Sequence, residues 1–339
     1  MSDDSEPPTA GQPSATMIVP TATGAVPGPA TAPPLSDAAR RYAERSSAPN
    51  TARACTAALS DFTAWCAGQG LPSLPAAPET VGSFLAARAA THKVASLQLR
   101  LVAIGQAHRL AGHRLNTVHP AIRETMKGIR RTRGTAHAKK EAAVSSILRD
   151  ALDRLAAIPG SRPLRDRALL LVGFAAALRR SELVALDVAD LRFMPEGVVL
   201  ILRRAKTDQE GQGAELAVPY GTSDRTCPVL ALRTWLGAAG LAEGAVFVAV
   251  HRTGCVLRTR LSDRDVARIV KASVDRAGYD AMEFAGHSLR SGFITSAARA
   301  GVPEQHIQNQ SRHRSLPVLR GYIRRGSLFV DNAASKVGL

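Results

Sequence analysis

Cysteine is scarce and unpatterned: the four in 339 residues, at positions 55, 66, 227 and 255, form no CxxC pair. That argues against a zinc module or a disulfide scaffold. Long apolar runs are missing as well. The strongest, Ala168 to Leu178, is too short to span a bilayer. The acidic opening lacks the compact apolar core of a secretory signal. No GxxxxGK[ST] loop and no dinucleotide fingerprint appears. Lys and Arg are absent from residues 1–34, which hold three acids and eight prolines. Such a stretch buries too little apolar surface to offset its ordering entropy, so the reading predicts a disordered extension over 1–35.

What is present is positive charge. The chain carries 44 Lys plus Arg against 28 Asp plus Glu, a formal charge of +16. Setting residues 1–34 aside leaves 44 bases against 25 acids, or +19 on the remainder. A field of that sign attracts polyanions, nucleic acid being the commonest in a cytoplasm. With 45% hydrophobic residues there is also material for a real core, and the length suits two domains plus extensions.

From residue 36 to 134 the text is helical, with helices expected near 79–90, 94–111 and 118–131. Cys55, Leu59, Phe62 and Cys66 fall at i, i+4, i+7 and i+11, one face of a helix, which puts both cysteines among core neighbours rather than at a metal. Residues 123–140 then carry Arg123, Lys127, Arg130, Arg131, Arg133, Lys139 and Lys140 against one acid, Glu124. A basic, Gly-interrupted hinge of this kind between two helical regions suits a linker lying along a phosphate backbone, and 135–142 is read as that basic linker. Beyond it, helices are expected at 143–157 and 163–186. Strand-like text follows at 188–193, 198–204 and 214–219, then helices near 227–239, 262–277, 286–300, 303–309 and 315–325. The architecture is mainly α with a small antiparallel sheet, in two domains, 36–134 and 143–339.

Four segments of the second region gather cations and one phenol: Leu178-Arg179-Arg180-Ser181-Glu182-Leu183, Lys206-Thr207-Asp208, His287-Ser288-Leu289-Arg290, and His313 followed nine residues later by Tyr322. In order and spacing this resembles the tyrosine recombinase (phage integrase) family over roughly residues 140–339. The ending Gly321-Tyr322-Ile323-Arg324 looks like that of the Cre-type branch. Two dipeptides depart from the family pattern. Ala176-Ala177 stand where Thr-Gly often precedes Leu-Arg, and Ser311-Arg312 stand where Leu-Gly often precedes the His.

The resemblance implies a helical core-binding domain before a catalytic domain, and roles for each group. Arg179 and Arg290 would clamp the scissile phosphate, and Glu182 would orient Arg179. Tyr322 would be the nucleophile, Lys206 the general acid to the leaving 5′-oxygen, His287 a proton-transfer partner of Tyr322, and His313 a donor to a phosphate oxygen. The residue types suit this. Phosphodiester attack concentrates negative charge on nonbridging oxygens, and fixed guanidinium groups stabilise it without a metal ion. A covalent phosphotyrosine stores the bond energy, so no ATP is needed. Implied too are double-stranded DNA sites as partner, no cofactor, a homo-oligomer (a tetramer on two sites) joined by a C-terminal tail, and a cytoplasmic, nucleoid-associated setting. Leu261 to Arg264 match a family motif whose arginine enters the major groove, making Arg264 a base-edge candidate. Lys93, Arg100, Arg109, Lys127, Arg130 and Arg131 are candidates for clamping the duplex, from charge on helices alone.

Other readings stand beside this one. Arg180 competes with Arg179, but only Arg179 keeps the Leu-Arg-x-Ser-Glu register. Tyr42, Tyr220 and Tyr279 are rival phenols, though none follows a His at the family spacing. A metal-dependent nuclease needs converging carboxylates, and Asp187, Asp190 and Glu196 show no such motif. A type IB topoisomerase-like strand breaker, or a non-catalytic DNA-binding protein of the same fold, shares much of the pattern.

Overall fold

In the computed structural model, the described residues are Ser36, 49–134, 140–203, 213–326, Ala334 and Val337. The chain divides into two compact units, Met1–His137 and Ala138–Leu339.

The first unit is helical: α1 (Pro49–Gly68), α2 (Pro78–Arg88), α3 (Val94–Leu110) and α4 (Pro120–Arg133). Pro78 and Pro120 sit at helix starts, where a missing N–H costs nothing. The predicted α1 face is the one that turns inward. Phe62 and Cys66 are fully buried, and the Phe62 ring meets Phe84 edge-on at 5.0 Å between centroids. Leu85, Leu97, Ile104, Ile122 and Met126 complete the core. Each such side chain contributes about 1.5–3 kcal/mol on burial. Burial pushes the Cys66 thiol pKa up, which keeps it protonated and inert. His108 is a satisfied core histidine: Nε2 accepts from the Ala76 N–H at 2.8 Å, and Nδ1 donates to the Ile104 carbonyl at 2.8 Å.

The second unit runs α5 (Ser145–Ala156), α6 (Ser161–Ala175), α7 (Arg180–Ala185), a three-residue 3₁₀ turn (Val188–Asp190), β1 (Leu191–Met194), β2 (Gly197–Leu202) and β3 (Ala214–Pro219). Then come α8 (Pro228–Ala239), β4 (Val248–Val250), β5 (Val256–Arg260), α9 (Asp263–Arg276), α10 (Ser288–Arg299), α11 (Glu304–Ser311) and α12 (Leu316–Gly326). Strands β1, β2 and β3 form an antiparallel meander in that order, with Leu200 facing Leu191 on one side and Leu216 on the other. Helix α6 is the axis of this unit: Ala168 to Val172 are all buried, and it packs on α8 and α10. Trp235 of α8 is fully buried, and its Nε1–H donates to the Val246 carbonyl at 2.8 Å.

The structure differs from the sequence reading at three places. The single helix expected over 163–186 is broken at residues 176–179. Ala177 adopts φ 46°, in the left-handed region, and Arg179 is extended. Nothing in the helix propensity of Ala-Ala-Leu foretells this; the helix end closes with the Leu178 N–H donating to the Gly173 carbonyl at 3.1 Å. The strand expected at 188–193 begins as the 3₁₀ turn, and the β4–β5 hairpin was not foreseen at all. A three-residue strand carries no usable period, and β5 is mostly exposed and rich in arginine. On the other side of α6, Gly292 lets α10 approach the chain at residue 143. A Cβ there would run into the carbonyl oxygen of Ala143.

Candidate active site

The break after α6 is where the site is built. Its left-handed turn at Ala177 aims the Ala177 carbonyl at Arg290, whose Nη1 donates to it at 2.6 Å. Two residues on, Arg179 caps α7. Its backbone N–H donates to Oε2 of Glu182 at 2.9 Å, and its Nη1 donates to Oε1 at 2.6 Å. An acid at the third position of a helix closes back on the cap in this way, so the i to i+3 spacing of Arg179 and Glu182 is a local device. Arg180 points elsewhere, pairing with Asp263 at 3.2 Å.

Helix α10 supplies the second pair. His287 precedes its first residue and Arg290 follows one turn later. Arg290 is 1% exposed, and its Nη2 meets Nδ1 of His313 at 3.2 Å. A guanidinium only donates, so Nδ1 is an acceptor and the proton of the neutral ring sits on Nε2. Burial, then the neighbouring Arg290, Arg179, His287 and Arg312, push the His313 pKa down to about 4. At neutral pH the imidazole is therefore uncharged, with an Nε2–H available to an oxygen. Ser311 Oγ at 2.8 Å from Nδ1, and Gln308 donating to the His313 carbonyl at 3.0 Å, hold the ring and its backbone.

Tyr322 rides on α12, whose Leu319 packs against Ile294 and Ala298 of α10 and Ile307 of α11. Its ring lies 6.1 Å from that of His313, centroid to centroid. Of the rivals, Tyr279 donates to Asp150 at 2.5 Å, Tyr220 lines an apolar groove elsewhere on the unit, and Tyr42 lies outside the described residues.

The electrostatics bind the cluster together. Burial drives the Arg290 pKa down to about 9, helped by Arg179 and Arg312 and opposed by Glu182 and Tyr322, so it stays charged at neutral pH. Desolvation, then Arg290, Arg179 and Arg180, lower the pKa of His287, although its side chain stands exposed at the rim. Burial by itself would raise the Glu182 carboxyl. Arg312, and then Arg179, more than reverse that, and Glu182 stays ionised. The arrangement thus gathers fixed cations, a neutral N–H donor and a phenol, group types that can stabilise and attack a phosphate.

Five expected groups therefore meet here with Glu182: Arg179, His287, Arg290, His313 and Tyr322. Lys206 belongs to the segment joining β2 and β3 and lies outside the described residues, as does most of the 135–142 hinge. One residue was missed. Arg312, noted only as a departure from pattern, donates Nη2 to Oε2 of Glu182 at 2.7 Å.

The candidates for DNA contact fare unequally. Arg264 is exposed on the first turn of α9. The flanking acids are taken, Asp263 by Arg180 and Asp265 by Arg268, and Arg264 has no ion pair among the described residues. Lys93, Arg109, Arg130 and Arg131 are exposed, and Lys127 sits 3.6 Å from Glu124 at the surface. Arg100 is a correction. Its Nε donates to Asp61 at 3.0 Å and its Nη2 meets His92 at 2.7 Å, so the guanidinium is committed inside the helical unit.

The profile described as Phage integrase family matches residues 145–326. An integrase/recombinase xerD homolog of Selenomonas ruminantium is 40% identical over 309 residues, covering 89% of each chain. A tyrosine recombinase XerC of Syntrophus aciditrophicus is 30% identical over 173 residues, 47% of this chain and 48% of that one. Among solved structures, a lambda integrase dimer bound to a COC′ core site superposes with TM-score 0.57 at 16% identity, covering 84% of this chain and 74% of that one. XerH bound to a palindromic difH substrate, in a post-cleavage complex, gives 0.56 at 14% identity, covering 76% and 72%. The chain belongs to the phage integrase family, and its class is the tyrosine site-specific recombinases. No helix among the described residues is long and apolar enough to cross a membrane.

Proposed function

We propose that this protein cleaves and rejoins double-stranded DNA at specific sites, with Tyr322 as the nucleophile. The observation that carries the reading is the His313 ring, held by Arg290, beside the Tyr322 ring, with Arg179 a charged neighbour of both Arg290 and His313. The Tyr322 Oη attacks phosphorus as its proton passes to His287. The Oη–P bond forms, the P–O5′ bond breaks, and the leaving 5′-oxygen takes a proton from Lys206. The product is a 3′-phosphotyrosyl link and a free 5′-hydroxyl. Attack by the 5′-hydroxyl of a second strand reverses the step and completes exchange. Arg179 and Arg290 stabilise the charge on the nonbridging oxygens, and His313 donates Nε2–H to one of them.

The test is a supercoiled plasmid pool with randomised inserts, quenched in SDS. A protein–DNA adduct carrying a free 5′-hydroxyl, formed undiminished in EDTA, is the expected result. Strand breakage that EDTA abolishes, with no adduct, would identify a metal-dependent nuclease instead. Strand exchange between paired sites separates a recombinase from a topoisomerase-like breaker.

Lys93, Arg109, Lys127, Arg130 and Arg131 are proposed to contact phosphates, and Arg264 to read a base. Arg264→Ala is expected to erode discrimination between cognate and mutated sites by about 1–3 kcal/mol, the worth of one bidentate base contact. Competition binding measures it, and an unchanged ratio removes Arg264 from the readout. The proposed assembly is a tetramer on two sites, with the C-terminal tail from residue 327 docking on a neighbouring protomer in a cytoplasmic, nucleoid-associated complex. A lambda integrase tetramer bound to a Holliday junction, TM-score 0.54 at 17% identity, is among the structures of like fold. The Cre-like assignment rests on Gly321 to Arg324 alone, while the 40% identical relative is named as a xerD homolog.

A further inference from the structure

Resting on that reading of Tyr322, we propose that Arg312 is a positioning residue of the strand-transfer reaction, acting through the Glu182 carboxylate on the guanidinium of Arg179.

Arg312 ends α11 at φ 54°, ψ 44°, in the left-handed region. Only one other non-glycine among the described residues has a positive φ, Ala177 at the break after α6. An arginine there crowds its Cβ against the following carbonyl, a conformation that glycine would take freely. The side chain adds a second cost. It is 14% exposed, and its Nε and Nη1 are buried with no acceptor among the described residues. The protein thus bears a strained backbone and two unmet donors to hold one guanidinium against one carboxylate. Burdens of this kind persist where the arrangement is used.

The use follows from the geometry of Glu182, whose side chain is 2% exposed. Oε1 takes Nη1 of Arg179, and Oε2 takes both the Arg179 backbone N–H and Nη2 of Arg312. Arg290, the next cation in the cluster, is bonded to Ala177 and His313 instead. Remove Arg312 and the buried carboxylate faces Arg179 as its only directly bonded guanidinium. It would then draw Arg179 into a two-pronged pair, the preferred arrangement of an arginine with a carboxylate. That closes the very edge a phosphate must use. With Arg312 in place, Glu182 is shared and Arg179 is held through Nη1, its Nε and Nη2 accepted by no group among the described residues. Arg312 orients a clamp without occupying it.

The test uses the same plasmid pool and the full chain. Arg312→Gly relieves the backbone, so its melting temperature is expected to match or exceed that of the parent. DNA retention on filters should be unchanged while the rate of SDS-resistant adduct formation falls about tenfold to a hundredfold, the loss typical of a displaced catalytic group. Arg312→Lys, which restores a cation beside Glu182, should recover part of the rate. In a double-mutant cycle, Glu182→Gln combined with Arg312→Gly should be no slower than Glu182→Gln alone, because both act through one carboxylate. A parental rate in Arg312→Gly overturns the proposal, as do losses that multiply in the double variant, or an Arg312→Gly defect that tracks lost stability and that lysine does not repair. An absent adduct in the parent protein overturns the Tyr322 reading as well, so the two failures are distinguishable.

Discussion

Tyr322→Phe is expected to abolish the covalent protein–DNA adduct while leaving DNA binding intact. The substitution deletes one oxygen and keeps the ring that packs with Ile294 of α10, Ile307 of α11 and Leu319 of its own helix. Neither the Arg179–Glu182 pair nor the Arg290–His313 contact involves that oxygen, so the phosphate receptor should persist. Phosphate contacts dominate affinity for DNA, and none is removed. The expected pattern is therefore an unchanged binding isotherm at fixed salt and no SDS-resistant product. An adduct persisting in this variant would place the nucleophile elsewhere. Tyr279 would be a poor substitute: Asp150 accepts its proton at 2.5 Å and raises its pKa.

The second large effect is expected at Arg290. Its guanidinium is buried and bridges two otherwise distant stretches, the Ala177 carbonyl and the His313 ring. Arg290→Ala should slow adduct formation by about 10²–10³-fold, the cost of deleting one preorganised group that stabilises developing charge. Stability should fall as well, by about 1–3 kcal/mol, because a buried carbonyl loses its donor. Arg290→Lys separates the two effects. An ammonium retains the charge but lacks the planar fork that reaches both partners, so stability should recover more than rate. Thermal melts and single-turnover adduct assays read the two quantities independently. Equal recovery of both would mean that charge alone, rather than bidentate geometry, is what the site requires.

Much of this site is local in character and was therefore readable. Arg179 and Glu182 stand three apart, and the helix start between them turns that spacing into a hydrogen-bonded pair. His287 and Arg290 likewise fall one turn apart at the start of α10. Ser262 caps α9, and Asp265 closes back on it, by the same short-range geometry. Helix faces read well: Phe62 and Cys66 are buried together, as a 3.6-residue period requires.

Other features had no local signal. Ala176 to Leu178 favour helix as residues, yet the helix closes on a left-handed Ala177 with the Leu178 N–H on the Gly173 carbonyl, and Arg290, 113 positions away, takes the Ala177 carbonyl. Arg100 read as a free cation on a helix, and Asp61, 39 positions earlier, claims it. The β4–β5 hairpin pairs strands too short and too charged to alternate visibly.

The division is one of range. Residue types, their order along the chain and the i to i+3 pairs declared the family and nominated the candidate site residues, because short-range geometry follows from helix pitch alone. The meeting of Glu182 with Arg312 across 130 positions, and of Arg290 with His313 across 23, came only with the packing of α6, α7, α10 and α11 against one another. Contacts of that separation depend on how apolar faces stack, and no window of sequence contains that information.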